Sequence, residues 1–278
     1  VMKMKNVLDD NQSSSEVEPK QIKLQTEYFQ PWSNFVCRLK LPDEVFKMLE
    51  KLYEDASGLG VSFGKELVGQ VVDEPQVTFD LMQKHNDFMI FCNESIRNFI
   101  TVHLNQTLVG DTGEKNISWL QEQKFHSRIN TMWFVNQKPN EYNPIHIHTN
   151  CKVSSVMYLQ TPKKQIESRK SHHDTDGLIT FTNNTGTDYR FSNSQMSFKP
   201  VAGDMYIFPA MQNHMVWPYR SKDPNDSRIS LSFNADYITE DGLEKEKQQQ
   251  EIMYEEMKKM KESENDKSAD VSDINKSG

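Results

Sequence analysis

Polar and apolar residues alternate without interruption along Arg228-Ile-Ser-Leu-Ser-Phe-Asn234. A strand turns successive side chains to opposite faces, so Arg228, Ser230, Ser232 and Asn234 share one face and Ile229, Leu231 and Phe233 the other. Alternation alone leaves two readings open: a polar face turned to water, or one that lines a cavity. Segments near 129–136, 152–160, 177–182, 195–199, 204–209 and 227–236 are rich in β-branched and aromatic residues and predict strands. Gly177, Gly186 and Gly203, with several Asn, Asp and Pro, separate them. Upstream the period changes. Pro42-Asp43-Glu44 suits a first helical turn, and Val45, Phe46, Leu49, Leu52 and Tyr53 then make one apolar face. A longer helix is predicted from Gln76 to about Leu104. Its apolar residues, among them Phe79, Phe88, Phe91, Ile96 and Phe99, are too many for a narrow stripe, so it is expected to be well buried. Trp32, Phe35 and Val36 are candidate core residues ahead of the helices. A helical block followed by short strands predicts a mainly β chain with helical support, the helices packing on a small antiparallel sandwich or barrel.

The ends differ from the middle. Residues 1–20, with Asn11-Gln-Ser-Ser-Ser-Glu16, are expected to form a disordered tail. The helical support region is then 21–126, the β core 127–238, and a charged, helical or disordered tail 239–278. Within that tail Met253, Met257 and Met260 have helical spacing, and disorder is expected from Ser263 onward. Lys163–Asp176 reads as a charged surface insertion. The formal charge of -8 argues against non-specific binding to nucleic acid or anionic membranes. No apolar run reaches membrane-spanning length, and the N-terminal lysines are followed by no apolar signal stretch. Cys37, Cys92 and Cys151 are widely spaced, which suits a reducing, cytoplasmic compartment and no disulfide framework.

Candidate chemistry sits in the β region. His146-Ile-His148 places two imidazoles two residues apart, on one side of an extended segment opened by Asn143-Pro144. His214 follows the strand Asp204–Pro209 and can close a set of three nitrogen ligands. Such a set leaves metal positions open for reactants. If the polar face of the Arg228 segment lines the same cavity, Arg228 and Ser230 can clamp a carboxylate. Asn136 and Tyr158 are further candidate hydrogen-bond donors to a bound acid. His172-His173-Asp174 lies in the charged insertion and reads as solvated loop, and His85, His103 and His126 carry no chemical reading.

Taken in order, Asn140-Glu-Tyr-Asn-Pro-Ile-His-Ile-His148, Ser155-Val-Met-Tyr-Leu159, Gly177-Leu-Ile-Thr-Phe181, Pro200-Val-Ala-Gly-Asp204, Phe208-Pro209, His214 and Arg228–Asn234 form a recognisable series. It resembles the 2-oxoglutarate/Fe(II)-dependent oxygenases, in the form encoded by tailed phages of marine cyanobacteria and by marine bacteria. The resemblance covers about residues 127–238. It implies a double-stranded β-helix, or jelly-roll, core. It implies Fe(II) bound by His146 and His214, with 2-oxoglutarate held by Arg228 and Ser230. The family's usual carboxylate ligand is replaced here by His148. Three neutral imidazoles leave Fe(II) its full charge, which shifts its redox behaviour and its affinity for an anionic co-substrate.

The activity so implied is oxidation of a substrate C–H bond, with succinate and CO2 as co-products. Two other readings stay open. A cupin-type thiol dioxygenase also uses three histidines on a jelly roll. A catalytically inactive jelly-roll structural or adaptor protein would keep the scaffold without the chemistry.

Overall fold

The computed structural model describes residues 25–29, 35–107, 125–167, 174–182 and 194–274. The expectations for residues 1–20, for Trp32, for the pair His172-His173 and for Gly186 lie outside these.

Among the described residues ten strands form two antiparallel sheets. The strands are β1 (Thr26–Phe29), β2 (Val36–Lys40), β3 (Phe125–Gln137), β4 (Asn143–His146), β5 (Val153–Gln160), β6 (Ile179–Thr182), β7 (Gln195–Phe198), β8 (Asp204–Pro209), β9 (His214–Val216) and β10 (Arg228–Thr239). The six-stranded sheet runs β1-β2-β8-β5-β10-β3, and the four-stranded sheet β4-β9-β6-β7. From β3 to β10 the chain crosses between the sheets again and again, so neighbours in space are distant in sequence. That winding is the double-stranded β-helix. The strands β1 and β2 extend the larger sheet beyond the β-helix. Sequence pattern places only core residues there, because each segment is too short to show a period.

β10 shows why this winding makes a site. It is interior to its sheet, paired with β3 on one side and β5 on the other. Ile229, Leu231, Phe233 and Ala235 pack into one core with Met132 and Phe134 of β3 and with the helices. Arg228, Ser230, Ser232 and Asn234 line a cavity on the other side. The polar face therefore looks into the molecule. β8 divides the same way: Met205 and Ile207 join the helical core, while Tyr206 and Phe208 join a second cluster with Tyr158, Ile179, Phe181 and Val216 between the sheets.

The helices cover the outer face of the larger sheet. α1 (Asp43–Leu59) follows Pro42 and buries Val45, Leu49, Leu52 and Ala56. It stops at Gly60, whose φ of 66° is a left-handed conformation that side chains resist. The long helix expected from Gln76 is two, α2 (Phe79–Lys84) and α3 (Asn86–Thr107), parted at His85. No glycine or proline marks the break. The His85 ring is held by Asp55 of α1 at 2.7 Å, and Thr78 Oγ1 caps α2 by accepting from the Leu81 N–H. The start also moves, because residues 73–77 are extended along the edge of β3. There Phe134 N–H donates to Pro75 O, Asn136 N–H to Asp73 O, and Val77 N–H to Met132 O. A last helix, α4 (Glu240–Ile274), continues through the stretch where the sequence suggests disorder from Ser263. Its Glu, Lys, Gln and Met residues favour helix. Among the described residues no helix is long and apolar enough to cross a membrane.

Candidate active site

Three histidines converge at one end of the β-helix. His146 ends β4 and His214 opens β9, and the two are register partners across that pair. His148 lies just past β4, where its N–H donates to Ala210 O at 2.9 Å. One ligand nitrogen from each ring lies within 4.8 Å of the others, a grouping able to hold a metal ion. The unlike positions of His146 and His148, one in the strand and one in the turn after it, are thus reconciled by backbone bonding to the loop before β9.

Ring orientation is set from behind. His146 Nδ1–H donates to Pro144 O at 2.7 Å and His214 Nδ1–H to Gln212 O at 2.9 Å. Each bond fixes the tautomer and leaves Nε2 with its lone pair free. His148 Nε2 stands 3.3 Å from His214 Nε2, and the two rings are nearly parallel. Burial lowers the proton affinity of all three. It pushes His148 down to about 3, with His146 adding to the effect, and takes His214 well below the ordinary histidine range. All three are therefore neutral near pH 7 and able to donate to a cation.

The histidines open onto a cavity of about 490 Å³ between the sheets. Its lining includes Ser155 and Tyr158 of β5, and Arg228, Ser230, Ser232 and Asn234 of β10. Arg228 is 2% exposed. Nη1 donates to Gly177 O at 3.0 Å and Nη2 to Gln137 Oε1. Gln137 is itself oriented, since its Nε2 donates to Glu141 O and Trp217 O. Arg228 Nε, Tyr158 Oη and Ser155 Oγ are buried without a hydrogen-bond partner. No described carboxylate forms an ion pair with Arg228. Burial pushes the Tyr158 phenol up to about 12, so it stays protonated as a donor. Tyr158 and Ser230 are direct neighbours across β5 and β10.

Asn136 does not reach this cavity. On β3 the cavity is lined by Asn130, at a register shift, and then by Thr131, Trp133 and Val135, to which Asn136 has the opposite parity. Its Nδ2 donates to Asp73 Oδ2 at 2.6 Å. Sequence reasoning also missed a wall of the cavity: Phe63, Leu67, Gly69 and Glu74, from the loops between α1 and α2. The signal available was slight, an Asp73-Glu74-Pro75 triplet in a glycine-marked stretch. His85 and His103 are structural: His85 holds Asp55, and His103 stacks with Phe99 beside Phe35.

Residues 131–234 match the sequence profile of a family described as "Putative 2OG-Fe(II) oxygenase". That stretch of the β-helix core is thus similar to the 2OG-Fe(II) oxygenases. The matched stretch is well under half of the chain, and it contains His146, His148, His214 and Arg228. Members of this oxygenase family are enzymes that use Fe(II) and 2-oxoglutarate. A search among curated proteins finds no match. Among solved structures this chain is similar to a prolyl-4-hydroxylase of Pseudomonas putida, at 17% identity and a TM-score of 0.43, over 72% of this chain and 91% of that one. It is also similar to a viral collagen prolyl hydroxylase from Paramecium Bursaria Chlorella virus-1, at 12% identity and a TM-score of 0.38, over 76% and 96%. A 2OG-Fe(II) oxygenase family protein of Burkholderia pseudomallei matches at 10% identity and a TM-score of 0.33, over 77% and 74%.

Proposed function

We propose that this oxygenase oxidises a C–H bond of a substrate bound in the cavity, consuming 2-oxoglutarate and dioxygen and releasing succinate and CO2. The observation that carries the reading is Arg228, a buried guanidinium without a carboxylate partner, on the cavity where three imidazoles converge. An isolated buried cation is costly, and an anion in hydrogen-bond contact offsets that cost. The unpartnered Arg228 Nε and Tyr158 Oη are donors, as a carboxylate requires.

The residues present fit both groups. His146, His148 and His214 would hold Fe(II) through neutral nitrogens, donors that suit a ferrous ion. Arg228, Ser230 and Tyr158 would hold the far carboxylate of 2-oxoglutarate. Fe(II) held there would activate dioxygen, which is the oxidant, and decarboxylation of 2-oxoglutarate would provide two of the four electrons that dioxygen takes up. The chain's own share is binding, orientation and exclusion of water. Pro144 O and Gln212 O hold two of the imidazoles in the required tautomer. Gln137 and Gly177 O hold the guanidinium in place before any ligand enters. Phe181 and Phe208 pack against His214 and keep that side of the site dry.

The test is an anaerobic Fe(II) titration of the full chain, followed by oxygen with 2-oxoglutarate while succinate is measured. Iron-dependent succinate that falls sharply in Arg228→Ala is the expected result. Iron binding without decarboxylation of 2-oxoglutarate, across candidate substrates, would turn the reading toward a thiol dioxygenase. A chain that binds no iron would overturn both and leave the inactive scaffold.

A further inference from the structure

Among the described residues, Glu74 is the one carboxylate of the cavity wall that is both buried and unused. It is 2% exposed, and its Oε1 has no hydrogen-bond partner. Its position is fixed by backbone, not by its side chain. Its neighbours' carbonyls, Asp73 O and Pro75 O, accept from Asn136 and Phe134 on β3, and its own carbonyl accepts from Phe63 N–H at 2.8 Å. Alternation along that edge turns Asp73 away, toward Asn136, and Glu74 into the cavity.

The surroundings of Glu74 are acidic. Asp73 is engaged by Asn136, and Glu141 accepts from the N–H groups of Lys138 and Val72. Glu66 lines the same cavity from its exposed rim. Burial, then Glu141 and Asp73, push the Glu74 carboxyl up to about 7. No described cation pairs with it. Asn143 of β4 completes the corner. An added Cβ at Gly69 would collide with Asn143 Oδ1 and stand 3.4 Å from Glu74 Oε1, so both oxygens lie close to one point beside Gly69. Beside them Phe63 and Trp133 stack with ring centres 5.2 Å apart, and Trp133 in turn stands 6.0 Å from His148.

We infer that this corner takes the cationic nitrogen of the substrate, an alkylammonium or alkylguanidinium group, with Glu74 and Asn143 accepting its N–H bonds. The stacked Phe63 and Trp133 would line one side of its hydrocarbon stem and add attraction between cation and ring face. The inference deepens the oxygenase reading, since it is that reading which makes the bound molecule a substrate. A protonated nitrogen supplies what the corner lacks: donors for two acceptor oxygens, and positive charge among four acidic groups. An inorganic cation would satisfy the charge and leave the aromatic pair without a role.

The experiment uses the full chain, free of iron and 2-oxoglutarate, so that it stands apart from the oxygenase test. Binding of n-butylammonium, n-butylguanidinium and neutral n-butylurea is measured by calorimetric titration at pH 8. At least one cation is expected to bind roughly tenfold or more tightly than the urea, the scale of a charge-assisted hydrogen bond. Glu74→Gln should abolish that preference, and Asn143→Ala should weaken cation binding several-fold while the preference survives. Equal affinity of wild type for urea and cations overturns the proposal without any variant. So does a preference that survives in a folded Glu74→Gln protein. If only one of the two cations is preferred, the proposal stands and the head group is assigned.

Discussion

Arg228 lies with its guanidinium carbon 5.9 Å from the ring centre of Tyr158, both side chains fully buried and the tyrosine hydroxyl unpartnered. The arrangement is a donor pair held ready by the scaffold. Gln137 and Gly177 take part of the guanidinium's bonding capacity and leave Nε and the tyrosine hydroxyl. Arg228→Ala should raise the 2-oxoglutarate concentration needed for half-maximal turnover by at least roughly tenfold, and Tyr158→Phe by a few-fold. Arg228→Lys should rescue little, because an ammonium cannot reproduce the planar fork. Steady-state succinate formation against 2-oxoglutarate concentration checks all three, and a lysine variant equal to wild type would remove the fork from the argument.

His146 and His214 are oriented by backbone carbonyls, whereas His148 is anchored through its own N–H to Ala210. His214→Ala should abolish Co(II) binding, read from the visible absorption of the bound ion under anaerobic conditions. His148→Asp should keep it, since a carboxylate at this place is the family's usual ligand, and should change the spectrum. Unaltered absorption in His148→Asp would mean that His148 is not a ligand.

Glu74 makes stability depend on pH with a defined sign. Its folded-state proton affinity is raised, from an ordinary 4.5 to about 7, so between these values the folded chain binds more proton than the unfolded one. Stability must then fall as pH rises from about 4.5 to about 7, and level off above. Glu74→Gln removes that contribution. Denaturant unfolding at pH 5 and pH 8 should show the variant gaining on wild type at the higher pH. A constant difference between the two proteins would refute the assignment.

Gly69 is required for a different reason from the glycine that ends α1. No positive φ is involved. A methyl group there would meet Asn143 Oδ1 and must displace it. Gly69→Ala should cost about 1–3 kcal/mol, the range for overpacking a close contact. It should weaken n-butylammonium binding along with stability. Chemical denaturation and the same titration read the two effects, and unchanged stability in the Gly69→Ala variant would mean that the loop yields freely.

How much was legible depended on whether local pattern carried the information. The alternation at 228–234 predicts β10 correctly, yet cannot say which face is inside, because β10 is buried on both. Only the packing of the helices on one face and the second sheet on the other decides it. The three histidines were legible because two share a strand parity and the third follows a well-bounded strand. Asn136 was misplaced by parity: one residue along β3 moves a side chain from the cavity to the opposite face. The break between α2 and α3 was illegible, since it rests on a contact between His85 and Asp55 of another helix. Glu74 was illegible because its burial comes from pairing of residues 73–77 with β3 across a long separation in sequence.

The two-sided burial of β10 has a consequence for variation. Odd-numbered residues from 229 to 235 answer to the helical layer, and even-numbered ones from 228 to 234 to the chamber. Substitutions at Ser232 or Asn234 can reshape what the chamber accepts while Leu231 and Phe233 hold the scaffold unchanged. Selection for a new specificity and selection for a sound fold thus act on interleaved positions of a single strand, and a library confined to one parity would explore the first without touching the second.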